Sequence, residues 1–426
     1  MKTLIKNGRV VTVDGSDKAI IDADVVINNN IIEYIGDDYT GDCDKVIDAS
    51  GKIVMPGLIN CHTHLGMSLF RATNDDYSLN KWLNEFIWPI EDKLNDEDIY
   101  YTTLLSLIEM VKTGTTCFND MYFGWRGSFK AFDKIKLRGI YGRCLMGDMN
   151  NKGIDRINDF KELVRSNKND LVKLSVAPHA LYTTDLEYLR ECNKLSVEYD
   201  MPVHIHLSEN KNEVSDVRNK YNKLPVEVIS KAGFLDRRLI LAHGTFISDE
   251  EINLLKGRNV SICTNPVSNL NLGCGIADIR KYIDNGINVC LGTDGVGSGN
   301  NMNLFYHMSF LDNLQKGKYE DATIMGSYEV IKMATINGAR ALGIDDLVGS
   351  IEVGKQADII IVDTSDVVMT PCVNPIIWLA HNGWYGSVDT TIVNGEILME
   401  NKKLNLDIDI KDVKNKVISI REKFMK

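Results

Sequence analysis

The sequence lacks what several functional classes require. No apolar run reaches the ~18 residues of a membrane span. Met1 to Gly8 leads into a strand-like pattern, not into the apolar core of a signal peptide, so a cytoplasmic protein is expected. There is no basic block: 48 Lys and Arg stand against 59 Asp and Glu, a net charge of −11. Gripping phosphate backbones takes concentrated positive charge, so neither nucleic acid nor a membrane is an expected partner. The nine cysteines, at positions 43, 61, 117, 144, 192, 263, 274, 290 and 372, form no C-x-x-C pair. An odd count scattered over apolar runs points to reduced thiols in a core. Histidine is scarce too, with 8 in 426 residues, and its placement is informative.

What is present is a soluble globular composition, 44% hydrophobic and 25% charged, in a chain long enough for about two domains. Both ends read as short strands and turns. Leu4 to Val11 carries an Asn7-Gly8 hairpin signal between β-formers, and Thr391 to Leu398 repeats it around Asn394-Gly395. Ile359 to Val362 reads as a buried strand. One small β-sandwich built from 1–54 and 349–426 is expected. Between them, 55–348 alternates eight apolar strands with helical stretches. The strands are Leu58–His62, Thr115–Asn119, Ile140–Leu145, Val172–Ala177, Val203–Leu207, Leu239–His243, Val260–Thr264 and Val289–Thr293. Leu104, Leu107, Ile108 and Val111 form a helical stripe stopped by Gly114, and Ser248 to Glu251 is a capping box. Eight β–α units predict an α/β fold, a TIM (β/α)8 barrel. A doubly wound sheet is the competing reading, but no Gly-x-Gly-x-x-Gly follows the first strand.

Barrel chemistry sits where strands hand over to the following loops. Six of the eight histidines fall in strand-end segments: His62, His64, His179, His204, His206 and His243. His62 and His64 lie two apart, on one side of an extended chain. His206 is nearer the strand end than His204, which leaves His204 a packed or supporting role. Asp294 ends the eighth strand. His62, His64, His206 and Asp294 therefore supply three imidazoles and a carboxylate for one divalent metal ion, expected to be Zn2+ although Fe, Ni or Mn would also suit. Such an ion must also hold a water and lower its pKa toward neutrality. Glu209, in His-x-x-Glu, is placed to move a proton over the mouth, and His243 to orient the attacking water. His307 and His381 lie away from strand ends, where packing or surface roles are expected.

Pro-Gly-Leu-Ile-Asn-Cys-His-Thr-His, His-Leu-Ser-Glu, Leu-Ala-His-Gly, Asn265 to Gly273 and Leu-Gly-Thr-Asp-Gly resemble the amidohydrolase superfamily almost end to end. More narrowly they are similar to its cytosine/atrazine-type branch and the 5'-methylthioadenosine/S-adenosylhomocysteine deaminases within it. Leu79 to Leu83 and Trp88 to Asp92 carry the narrower likeness. The resemblance implies metal-dependent deamination of an adenosine-type nucleoside. Glu209, His243 and Asp294 would be catalytic. Glu91 and His179 would bind the ribose hydroxyls, Glu209 and Asp294 would meet the purine, and Arg143 and Arg156 would bind the distal part. Relatives with two metals usually bridge them by a carboxylated lysine at the end of strand four. Lys173 begins that strand instead, which favours one metal. His307 departs from the family pattern, where Glu is common. The Pro-Cys-x-x-Cys of the other zinc deaminases is missing. Alternatives are another aminohydrolase of the branch, acting on guanine, a pterin or a triazine-like ring, or a non-catalytic relative, which would be expected to have lost metal ligands. The sequence leaves open whether the chain forms a homo-oligomer.

Overall fold

The computed structural model describes every residue except 17–18, 74–76, 384–385 and 426. Its centre is a parallel sheet of eight strands in sequential order: β1 (Leu58–Thr63), β2 (Thr115–Tyr122), β3 (Arg138–Leu145), β4 (Val172–Pro178), β5 (Val203–Leu207), β6 (Leu239–His243), β7 (Val260–Thr264) and β8 (Asn288–Leu291). Nearly every residue in them is buried. Strands covered on both faces need not alternate apolar with polar, which is why they read as short apolar runs. Hydrogen bonds close the seam between the last strand and the first: the backbone amides of Thr293 and Asp294 both donate to the His62 carbonyl, at 3.2 and 3.0 Å. The expected barrel is thus formed.

The two chain ends build a separate mixed sheet. Its order runs Lys403–Leu404, Glu396–Glu400, Val388–Val393, Ile359–Val362, Ile53–Pro56, Lys2–Val11, Ile20–Asn28, Ile31–Gly36, with Lys45–Asp48 also on Lys2–Val11. Its inner face has its own core, including Ile5, Val25, Ile47, Val54, Ile359 and Ile392. The sheet extends to Pro56, just past the expected boundary, and Gly57 leads into β1. A Cβ on Gly57 would lie 2.1 Å from Thr116 Oγ1, so only glycine lets the chain cross there. The terminal helix Ile410–Phe424 packs on the barrel helix Asp96–Lys112. Arg138, the first residue of β3, ties the two bodies together. Its guanidinium grips Asp358 at 2.7 and 2.9 Å, and both side chains are buried.

Two local readings are sharpened. Asn7-Gly8 is not a hairpin turn. Lys2–Val11 is one strand, and its register on Ile20–Asn28 shifts between Ile5 and Gly8, with Asn7 at φ 59°. The same dipeptide at Asn394-Gly395, at φ 49° and 77°, does turn the chain between Val388–Val393 and Glu396–Glu400. The helix stripe ends at Lys112 before Gly114, and Ser248 caps Asp249–Leu255 as expected. All nine cysteines are free thiols, seven of them buried.

Candidate metal centre and active site

The strand-end side chains meet at the mouth of the barrel. His64 Nε2 lies 3.2 Å from Asp294 Oδ1, and His62 Nε2 lies 3.5 Å from the same oxygen. His206 Nε2 is 3.3 Å from His64 Nε2. The ligand atoms of His62, His64 and Asp294 lie within 4.8 Å of one another, as do those of His62, His206 and His243. His62 belongs to both groups, and His206 Nε2 approaches His64 Nε2, so the two groups adjoin. Gly292 makes the approach possible: a Cβ there would stand 2.9 Å from the His62 Cβ. Three residues at the site, Ser208, His243 and Asp294, take left-handed backbone angles of 52°, 73° and 60°. Strain of this kind persists only where the surroundings enforce it, and His243 and Asp294 both line the mouth.

The far side of each imidazole is held from outside. Nδ1 of His64 donates to the Met121 carbonyl at 2.6 Å, and Nδ1 of His206 to the His179 carbonyl at 2.7 Å. Nδ1 of His243 donates to Asn269 Oδ1 at 2.7 Å. An oxygen acceptor keeps the proton of the neutral ring on Nδ1, so its lone pair lies on the inward Nε2. Ser268 and Ser298 donate to Asp294 Oδ2 at 2.5 and 3.0 Å, while Oδ1, which also accepts from the Gly295 amide at 2.7 Å, faces His62 and His64. His62 Nε2 is buried with no hydrogen-bond partner. A buried nitrogen of that kind, aimed at a carboxylate and other bare nitrogens, fits a cation.

Electrostatics agree. Burial depresses the pKa of His62 to about 4, and that of His206 well below the ordinary imidazole value. Burial also opposes charge on His64, but the hydrogen bond to Asp294 prevails and raises it to about 9. Burial favours protonated Asp294, yet His62 and His64 hold its carboxyl well below the usual range. The centre is therefore an anion among mostly neutral imidazoles, with a proton on His64 where a divalent ion would stand.

The amidohydrolase family model matches residues 53–398, from the last strand before the barrel to the returning terminal sheet. The chain belongs to the amidohydrolase family. It is 42% identical over 394 residues to a 5'-deoxyadenosine deaminase of Methanosphaera stadtmanae, covering 91% of this chain and 92% of the relative. It is 41% identical over 420 residues to a 5-methylthioadenosine/S-adenosylhomocysteine deaminase of Thermoanaerobacter pseudethanolicus, covering 97% of each. Its fold matches a zinc-bound adenosine deaminase from Xanthomonas campestris with a TM-score of 0.95 at 29% identity, over 99% of this chain and 98% of that one.

In this amidohydrolase a cleft of about 530 Å³, its open mouth included, stands over the centre. Its floor is His64, His206, His243 and Asp294, and Glu209 stands among them. Glu209 is buried, 3.7 Å from His243 Nε2, and burial raises its pKa. Glu91 and His179 line another wall, beside Trp88 and Tyr182. Burial raises Glu91 to about 7 and depresses His179 to about 3. The outer wall is apolar: Leu79, Trp82, Leu83, Ile87 and Phe123.

The two arginines stand elsewhere. Alternation along β3 turns Cys144 into the cleft and Arg143 out toward the helix Asn151–Ser166. There Arg143 pairs with Asp159 at 2.8 Å and donates to the Cys144 carbonyl. Arg156 donates to the Met146 carbonyl at 2.6 Å, just past the exit of β3. Neither lines the cleft. Lys173 is exposed at the start of β4, far along the strand from His179. His307 is buried in the helix Leu304–Tyr319 and does not line the cleft, and His381 packs on Asp312 at 3.1 Å. Sequence reasoning did not find Ser268 and Asn269 as supports. Their signal was the Asn265 to Gly273 motif, read for likeness and not for the oxygens it brings to the centre.

Proposed function

We propose that this amidohydrolase removes ammonia from adenosine-type nucleosides, 5'-methylthioadenosine and S-adenosylhomocysteine among them, giving the inosine analogues. The observation that carries the reading is a buried carboxyl, Glu209, beside a ring of inward-facing nitrogens and one carboxylate at the floor of a cleft that Glu91, His179 and Trp88 also line. The names of the relatives support the substrate class.

His62, His64, His206 and Asp294 would hold one divalent ion, zinc by the fit of its donor set. When bound, such an ion supplies a water acidic enough to give hydroxide near neutral pH. His243 and Asp294 would hold that water and accept its proton. Glu209 would deliver a proton to ring nitrogen N1 as water adds at C6; the proton taken from the water would pass to the amino group, the C6–N bond would break with loss of ammonia, and the C6 hydroxyl would return its proton to Glu209 as the carbonyl forms. Glu91 and His179 hold the ribose hydroxyls, so the purine enters toward Glu209. Arg143 and Arg156 stand outside the cleft, so either would meet a charged 5' substituent only by leaving its partner, Asp159 or the Met146 carbonyl.

Ammonia release from a panel of 5'-methylthioadenosine, S-adenosylhomocysteine, 5'-deoxyadenosine, adenosine and guanine tests the reading. Turnover of the adenosine derivatives is expected. Turnover of guanine without them would overturn it.

A further inference from the structure

β5 carries two histidines on one face, and only His206 reaches the mouth. His204 lies one step deeper and is fully buried. Its Nε2 stands 2.9 Å from Nδ1 of His62, with the two rings at 86°. His62 therefore differs from its neighbours. The outer nitrogens of His64 and His206 face backbone carbonyls, which only accept and so hold the proton on Nδ1, and that of His243 faces Asn269 Oδ1 at 2.7 Å with the Asn265 amide farther off at 3.4 Å. His62 faces another imidazole nitrogen, which can either accept a proton or donate one. If His62 Nδ1–H donates to His204, its inward Nε2 is bare. If His204 Nε2–H donates to His62, the proton of His62 sits on the inward Nε2 and blocks it as a ligand. His204 Nδ1 is buried with no partner in either case, so nothing on its far side selects between the two.

We propose that His204 is a positioning residue that accepts the Nδ1 proton of His62, and thereby sets how tightly the centre holds a divalent ion. The inference rests on the metal reading given above. His204 touches neither the cleft nor the reacting atoms, so its effect falls on metal affinity before it falls on turnover. Supports behind a metal-bound imidazole orient the ring and raise its basicity.

The test uses the full-length protein, with zinc affinity measured by competition against a chromogenic chelator. His204→Phe fills the space without an acceptor, and is expected to weaken zinc binding about 10- to 100-fold. His204→Gln keeps an acceptor oxygen and is expected to recover most of that loss. Wild-type affinity in His204→Phe, or an equal loss in His204→Gln, would overturn the proposal. A second measurement needs no variant. Nitrogen NMR of histidine-labelled, zinc-loaded wild-type protein is expected to find the His62 proton on Nδ1 and the His204 proton on Nδ1. A proton on His204 Nε2 would overturn the proposal even where His204→Phe fails to fold. Wild-type protein that takes up no zinc would overturn the metal reading itself, and this inference with it.

Discussion

Replacing Glu209 with Gln separates proton delivery from everything else the site does. The two side chains have the same shape. The Glu209 backbone amide is fixed independently, since it donates to Glu213 Oε2 at 2.8 Å. Glu209 also lies outside both groups of ligand atoms, so metal uptake should survive. What disappears is an acidic proton in a site where Glu209 is only 3% exposed and bulk water is a poor substitute. General acid–base catalysis by one positioned group contributes about 10²- to 10⁴-fold. At about 1.36 kcal/mol per decade, the Glu209→Gln barrier should rise by about 2.7 to 5.4 kcal/mol. The assay is ammonia release under saturating nucleoside, with elemental analysis of the same preparation. A large fall in kcat with full metal content is expected. Turnover within about threefold of wild type would refute the proton role, and loss of metal alongside the rate would move Glu209 into the metal's own surroundings.

Three further outcomes follow from the same geometry. Burial raises Glu91 to about 7, so its carboxylate, the form that accepts from ribose hydroxyls, is lost as pH falls through that value. KM for nucleoside should therefore climb below about pH 7, and Glu91→Gln should show a raised KM with that pH dependence gone. Stripping divalent ions with a chelator should abolish ammonia release, and added zinc should restore it. Zinc at a hundredfold its Kd should also stabilise the fold by about 2.7 kcal/mol, seen as a rise in the thermal midpoint. Arg138→Leu leaves Asp358 buried without its partner at the junction of barrel and terminal sheet. It should cost about 3 to 5 kcal/mol in urea unfolding, and a loss below about 1 kcal/mol would show that the ion pair does not join the two bodies.

The sequence speaks clearly about what is local and less clearly about what is paired. Eight apolar runs with polar residues at their exits were enough to place a barrel and the side of it that carries the chemistry. Asn7-Gly8 and Asn394-Gly395 are the same dipeptide. One is absorbed into a single strand where the register slips, and the other turns the chain. The difference lies in which distant strand each pairs with, and a dipeptide does not carry that. Arg143 shows the same limit. Its place near the end of β3 was legible, but which of Arg143 and Cys144 faces inward depends on the register against β2 and β4.

The site divides along the same line. His62, His64, His206 and Asp294 announce themselves because a metal needs donors at strand ends, and strand ends can be read. The groups that make those donors effective belong to different strands and loops, chosen by proximity in the closed barrel. Met121 offers a carbonyl that any residue would offer, and Ser268 and Asn269 sit on the short helix Pro266–Asn271, 26 positions from Asp294 and His243 respectively. His204 is 142 positions from His62. On its own strand it looks like a surplus histidine beside the true ligand. Only closure of the sheet turns it toward a ring nitrogen that would otherwise have nothing to hold its proton. Residues that supply chemistry are therefore identifiable by type and position, while residues that set its direction become identifiable only once the fold has brought them together.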